Sequence, residues 1–284
     1  MPDGPAPAPA PAPAPSTPAT SPSAGIAATI GERIAPPGAG RVYRAHRRVR
    51  LSDVDTRGVA RLDSVARYLQ DVATDDVREA GVEDAVAWVV RRTTIVAPTR
   101  PRYGERIELA TWCSGAGSAL AERRTTLEGE GGSLVEAVSL WVSLDRTTLR
   151  PGPVADEHFE PYQEQSAGRR VRSRFLLPAG PPGDRDADPH RHPWPLRDSD
   201  FDLFSHVNNV VAWMAVEEEA CRRHPAARPL WGQVEYRRAI EMGEAPVLVS
   251  SVGDDVLGVW LMGEDGTAAI SARVGWAAEA AFQT

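Results

Sequence analysis

The chain has 284 residues, is 42% hydrophobic and carries a formal net charge of −7. That length suits one large domain or two of about 100–150 residues, and the acidic balance excludes sequence-independent nucleic-acid binding, which needs a basic surface. No apolar run approaches the roughly 20 residues of a membrane span, and the opening "MPDGPAPAPAPAPAPSTPAT" has neither the basic region nor the apolar core of a secretory leader. A cytoplasmic protein without a membrane span is expected. Cys113 and Cys221 lie far apart and form no CxxC pair, so two reduced, buried thiols are expected and no metal cluster.

Residues 1–40 are almost all Pro, Ala, Gly, Ser and Thr. Such a composition buries little, and a disordered, partly polyproline tail is expected. Globular sequence starts near Arg41. "VYRAHRRVRL" (42–51) alternates like a half-buried strand, and "LDSVARYLQDVATDDVREAG" (62–81) has the apolar spacing of a helix, with Gly81 as its stop. Four strand-like runs follow: "AWVVRRTTIVA" (87–97), "RIELATWCS" (106–114), "SALAERRTTLEG" (118–129) and "SLVEAVSLWVSLD" (133–145). Gly-rich turns separate the last three, as hairpins require.

A polar, turn-rich linker (151–170) divides this unit, 41–150, from a second one, 171–280, that repeats the pattern. "RVRSRFLLP" (170–178) reads as its first strand and "VNNVVAWMAVEEEACRRH" (207–224) as its helix. "LWGQVEYRRAI", "APVLVSSV", "VLGVWLMGE" and "AAISARVGWAA" complete it as strands between 230 and 278. The repeat is also literal. "RLSDVDTRGV" (50–59) aligns with "RDSDFDLFSH" (197–206) at an offset of 147, matching Ser52 to Ser199, Asp53 to Asp200 and Asp55 to Asp202, with Val59 opposite His206. Repeats this long are duplicated domains, not solenoid units. One helix per half covers one sheet face, so the halves are expected to join edge to edge in one sheet with both helices on the same side.

The second half carries the polar constellation "SDFDLFSHVNN" (199–209). A helix start offers unpaired amides and a partial positive charge of about +0.5. A carboxylate just upstream faces the same point, which suits attack on a polarised carbonyl. Asp202 is the candidate nucleophile or general base. His206 orients the loop or the carbonyl, the amides around His206 to Asn208 are the candidate oxyanion donors, and Asn208 and Asn209 cap the helix and fix the loop. A bare N-cap is the plainer alternative for Asp202. Of Glu217, Glu218 and Glu219, one is expected to face inward on an otherwise solvated face, and Gln70, at Glu217's repeat position, reads as structural. His190 and His192 are expected in a flexible loop, with no metal site and no cofactor. The tryptophans, including Trp88, Trp112, Trp141, Trp213 and Trp231, are expected in the core.

These stretches resemble a family. The β-α-β-β-β-β pattern with an Asp-bearing loop before the helix is similar to the hotdog fold. Residues 41–280 look like the double-hotdog acyl-ACP thioesterases, on the strength of "LQDVATDD", "WVVRRTTIVAPTRPRYGERIELATW", "SDFDLFSHVNNVVAWMAVEE" and "VEYRR". The resemblance implies an α+β fold, a continuous antiparallel sheet with two central helices, a first half that binds the acyl chain and a second that is catalytic. It implies hydrolysis of fatty acyl-ACP or acyl-CoA with Asp202 and His206 catalytic, and Asn208, Asn209, Trp88 and Leu69 against substrate. The acyl chain would lie between "VARYLQDVA" (65–73) and the strand around Trp88–Val96. An acidic carrier would need a local basic patch, for which Arg91, Arg92, Arg237, Arg238 and the run 169–174 are candidates; a homodimer is compatible with this reading. The sequence departs from the plant pattern at Phe204, where that family has Asn, and at Ala239 and Ile240, where it has Glu and Cys; Glu241 is a substitute candidate for that Glu. The departures keep a second reading open, a non-catalytic acyl-thioester-binding relative. A hotdog dehydratase would need Asp-x-Asn-Pro-x-His, and "DLFSHV" lacks its Asn and Pro.

Overall fold

The computed structural model describes residues 35–83, 87–145, 148, 150–155, 159–166, 168–181, 189–253 and 256–276. Residues 1–34, most of the expected tail, lie outside the described residues. Ten strands form one antiparallel sheet in the order β1-β3-β4-β5-β2-β7-β10-β9-β8-β6. They are β1 (Tyr43–Arg48), β2 (Ala87–Thr99), β3 (Arg106–Gly117), β4 (Leu120–Gly129), β5 (Leu134–Leu144), β6 (His190–Pro193), β7 (Trp231–Tyr236), β8 (Val247–Val252), β9 (Val256–Met262) and β10 (Ala268–Gly275). Read from either edge the order is the same, with β1 equivalent to β6 and β2 to β7. The halves join where β2 pairs with β7, Arg92 opposite Glu235 and Val96 opposite Trp231. This is the edge-to-edge sheet expected from the repeat, and the double hotdog that the resemblance implies.

Three α-helices are present among the described residues: α1 (Leu62–Glu79), the single turn α2 (Gln163–Ser166) and α3 (Asn209–Arg223). In α1, Leu62, Val65, Leu69 and Val72 recur at helical spacing, are buried, and form one cluster with Ala212, Ala215 and Val216 of α3 and with Ile95, Leu109, Val234 and Leu257 of the sheet. Both long helices therefore cover the same face. Gly81 (φ +72°) ends α1 in the left-handed conformation that glycine adopts without cost.

The first strand of the second half is not where the alternation of "RVRSRFLLP" places it. That segment crosses the other sheet face as a strap. Arg170 bridges Ala116 on β3, Arg92 on β2 donates to the Arg174 carbonyl, and Trp260 Nε1 on β9 donates to the Pro178 carbonyl at 3.1 Å. Beyond its start, where Val171 N donates to the Ala116 carbonyl at 2.9 Å, the strap lies across the strands, and side chains satisfy its backbone. The fully buried Glu235 carboxylate accepts from the amides of Leu176 (2.7 Å) and Leu177 (3.1 Å), and Arg237 donates to the Leu177 carbonyl. The counterpart of β1 is instead β6, which pairs with β8; it was hidden because His190–Pro193 carries no alternating apolar residues.

The strap takes up part of the expected basic patch, leaving Arg170, Arg172 and Arg174 exposed. Arg91 and Arg237 sandwich the Phe175 ring at 4.1 and 4.2 Å. Arg92 and Arg237 flank Glu235, Arg169 pairs with Glu122 and Arg238 with Glu244. These guanidiniums fasten the fold. Phe175→Ala should cost about 1–3 kcal/mol, two cation–π contacts at about 0.5–1 kcal/mol each plus the lost apolar contact, measured by urea unfolding; an unchanged midpoint would show that the strap is not held there.

Other expectations change as well. Cys113 is buried, and burial pushes its thiol up to about 11, but Cys221 is only half-buried. Two of the three glutamates of α3 face inward, Glu217 and Glu219, and only Glu218 is exposed. Among the tryptophans, Trp112, Trp213 and Trp231 are fully buried whereas Trp88 and Trp141 are half-buried.

Candidate active site

The two aspartate loops have the same geometry. Asp55 Oδ1 accepts from the amides of Arg57 (2.8 Å) and Val59 (3.1 Å). Asp202 Oδ1 accepts from those of Phe204 (2.8 Å) and His206 (3.1 Å). The turn needs a left-handed residue, and Gly58 (φ +72°) and Ser205 (φ +61°) provide it at equivalent positions. One oxygen of each aspartate thus builds its loop.

The second oxygen differs. Asp55 Oδ2 is held by Arg228 at 2.9 Å. Burial works to raise this carboxyl's pKa, but the Val59 and Arg57 amides and the Arg228 guanidinium outweigh it, and the net shift is downward. Asp202 Oδ2 has no hydrogen-bond or ion-pair partner among the described residues. The loop tips differ too. Arg57 ties the first loop to the carbonyls of Pro225 and Ala226, whereas Leu203 and Phe204 stand 86% and 68% exposed.

A second repeat, at an offset of 139, pairs the segments following β2 and β7. Ala60 N donates to Pro101 O at 2.8 Å and Val207 N to Ile240 O at 2.9 Å. Val59 bridges Arg102, and His206 bridges Glu241. The Arg102 amide is taken by Glu105 and the Glu241 amide by Glu244. Arg100 is therefore the counterpart of Ala239. The letters hardly match and the offset changes by eight, so sequence comparison missed this equivalence.

The two helix starts diverge at this point. At α1, Glu217 Oε2 accepts from the Leu62 amide at 2.6 Å, and the other Glu217 oxygen pairs with the buried Arg100. Arg100 also donates to the carbonyls of Pro229 (2.6 Å) and Ala60 (3.4 Å). At α3 the counterparts of Glu217 and Arg100 are Gln70 and Ala239, and this clasp is missing. Asn208 caps α3 with its side chain on Val210 N (3.1 Å) and its carbonyl on Val211 N (2.9 Å). The amide of Asn209, equivalent to that of Leu62, donates to nothing among the described residues.

The amides expected as oxyanion donors are committed elsewhere. His206 N donates to Asp202, Val207 N to Ile240 and Asn208 N to Asp200. The uncommitted donor is one residue further on, at Asn209. The half-buried Tyr236 fixes that residue by donating its hydroxyl to the Asn209 carbonyl at 3.0 Å, and burial pushes this phenol's pKa up, so it stays a donor.

A crevice opens beside this helix start. It is lined by Asn209, Val210 and Trp213 of α3, Tyr236 at the end of β7, Leu69 and Gln70 of α1, and Trp141 of β5, among others. Space for the centre of a water-sized sphere is about 20 Å³, room for little more than one water. An acyl chain enters only if the lining moves. Of the residues expected against substrate, Leu69 and Asn209 line the crevice; Asn208 serves as the cap, Trp88 sits on β2 outside the lining, and Asp202 and His206 lie in the loop leading into α3. Glu241 is exposed at the bridge to His206.

His190 and His192 sit on β6, not in a flexible loop, and their ring nitrogens lie within 4.8 Å of Glu219 and of each other. Glu219 already accepts from Arg223 (2.8 Å), Ser250 (2.6 Å) and Arg222 (3.3 Å), and Arg222 faces His192 Nε2 at 2.9 Å. A cation there would displace a guanidinium.

Residues 40–162 match the family model for the acyl-ACP thioesterase N-terminal domain. The protein Rv2001 of Mycobacterium tuberculosis is 30% identical over 239 residues, 84% of this chain and 94% of the relative. The chain belongs to the acyl-ACP thioesterase family. The palmitoyl-acyl carrier protein thioesterase of Arabidopsis thaliana chloroplasts is 28% identical over 195 residues, 62% of this chain and 47% of that one, so the match spans about half the length of that plant relative. The 12:0-ACP thioesterase from Umbellularia californica shares the fold, with a TM-score of 0.69 at 20% identity, covering 83% of this chain and 96% of that one. So does an acyl-ACP thioesterase from Bacteroides thetaiotaomicron, with a TM-score of 0.67 at 16% identity, covering 82% and 97%. Among the described residues no helix is long and apolar enough to cross a membrane.

Proposed function

We propose that the chain releases free fatty acid from acyl-ACP or acyl-CoA, with the reaction centred on the start of α3 in the second half. The observation that carries this reading is the broken internal symmetry. At α1 the helix-start amide is filled by the Glu217 carboxylate, whereas its twin at Asn209 is uncommitted and borders a crevice. An amide whose counterpart binds a carboxylate oxygen suits the oxygen of a thioester carbonyl as negative charge develops on it. Asp202, with one oxygen building the loop and one unpaired, is the nucleophile or the base that activates water. His206 and Asn208 hold the loop and the helix start in register. The first half, with its apolar α1 face, receives the acyl chain.

Purified protein assayed against a panel of acyl-ACPs and acyl-CoAs, with free thiol monitored, is expected to show turnover. Phe204, Ala239 and the narrow crevice favour the second reading, a non-catalytic acyl-thioester binder. Saturable binding of the panel without thiol release would select it.

A further inference from the structure

Gln70 is the one residue of the crevice whose counterpart already shows what a side chain at that position reaches. It stands eight residues past the first residue of α1, as Glu217 stands eight past the first residue of α3. From there Glu217 Oε2 comes within 2.6 Å of the amide that starts the opposite helix. Gln70 has the same length and lines the same crevice as Asn209. Among the described residues its side chain makes no hydrogen bond; only its carbonyl accepts, from Thr74. It differs from Glu217 in two ways: it carries no charge, and it offers N–H donors. A glutamate there would lie on the Asn209 amide as Glu217 lies on that of Leu62, and an arginine at Ala239 would complete the plug.

We propose that Gln70 is a catalytic residue of the thioester hydrolysis, its Nε2–H serving with the Asn209 amide as the second donor to the carbonyl oxygen. Water oxygen bonds to the carbonyl carbon, and the C=O π pair moves onto the oxygen between these two donors while the proton passes to the base. The tetrahedral adduct then reforms C=O and breaks the C–S bond, and the departing thiolate takes the proton. The inference rests on the reading that places the reaction at the start of α3.

The test compares Gln70→Ala and Gln70→Glu in the full chain, with palmitoyl-ACP and palmitoyl-CoA as probes. Gln70→Ala should lower kcat about 100- to 1,000-fold, the usual loss for one oxyanion donor, with KM within a few-fold. Gln70→Glu should be as impaired at pH 8 and yet melt at a higher temperature than the parent, because the new carboxylate caps α3. Held by that amide, its folded pKa falls below the unfolded value of about 4.3. The gain in Tm is therefore present above that pH and disappears as pH falls through the folded pKa. A merely structural glutamine would not lower turnover and raise Tm together. Turnover of Gln70→Ala within a few-fold of the parent, or no rise in Tm for Gln70→Glu at pH 8, overturns the proposal. If the parent itself releases no thiol, the reading of the site has failed, and the Tm comparison still decides whether Gln70 reaches the Asn209 amide.

Discussion

Asp202→Asn is expected to lower kcat at least about 100-fold, the usual scale for losing a general base, with little change in substrate affinity or Tm. The replacement leaves an oxygen to accept from the Phe204 and His206 amides, so the loop keeps its shape. What is lost is the charge on Oδ2, the atom without a structural partner. Asp55→Asn is the internal control, since its loop has the same geometry and Val59 stands where the second half has His206. It should leave turnover nearly unchanged but lower Tm at neutral pH, because it removes the partner of Arg228. The Asp55 carboxyl is held below its ordinary range, so its pair contributes above the unfolded pKa of about 3.9. That contribution is lost as pH falls through the lower folded pKa, and the Tm gap between parent and Asp55→Asn should close in acid. Equal turnover in all three proteins would reduce Asp202 to a loop-builder like Asp55. A larger kcat loss in Asp55→Asn would move the reaction to the first half.

The duplication was legible because helix periodicity and the "SDVD"/"SDFD" letters agree. The 147-residue offset also places the start of α3 on that of α1. The strap was not legible. "RVRSRFLLP" alternates in its letters, but it meets the sheet across its strands and only Val171 and Leu177 within it are not exposed; letter periodicity does not report hydrogen-bond direction. The basic patch is reduced for a related reason: the strap covers Arg91, Arg92 and Arg237 and uses them, while Arg170, Arg172 and Arg174 stay exposed. At the site, Asp202 and His206 could be read from local letters. The free amide at Asn209 could not, because it is defined by the acceptor that it lacks. The contrast between Arg100–Glu217 and Ala239–Gln70 needed the 139-residue equivalence, which only the paired loops reveal.

That contrast sets the largest expected effect on stability. Arg100→Ala should destabilise the protein by about 3–5 kcal/mol, the cost of leaving one member of a buried ion pair without its partner. At about 2–4 °C per kcal/mol for a chain of this size, Tm should fall by roughly 10 °C. Three consequences add up. Glu217 is left buried with only the Leu62 amide, the carbonyls of Pro229 and Ala60 lose a donor, and the link between the first half and the start of β7 is cut. Glu217→Gln should cost less, since it keeps an acceptor for Leu62 N and leaves Arg100 two carbonyls. The double variant Arg100→Met with Glu217→Gln should recover part of the single Arg100→Ala loss, because no buried charge then stands alone. Urea unfolding of the four proteins measures these losses, and a loss under 1 kcal/mol for Arg100→Ala would show that water reaches the pair. The chemical step should be spared in every variant that stays folded at the assay temperature. The clasp closes one helix start of the duplicated pair, and the proposed chemistry falls to the start where Gln70 and Ala239 stand in its place.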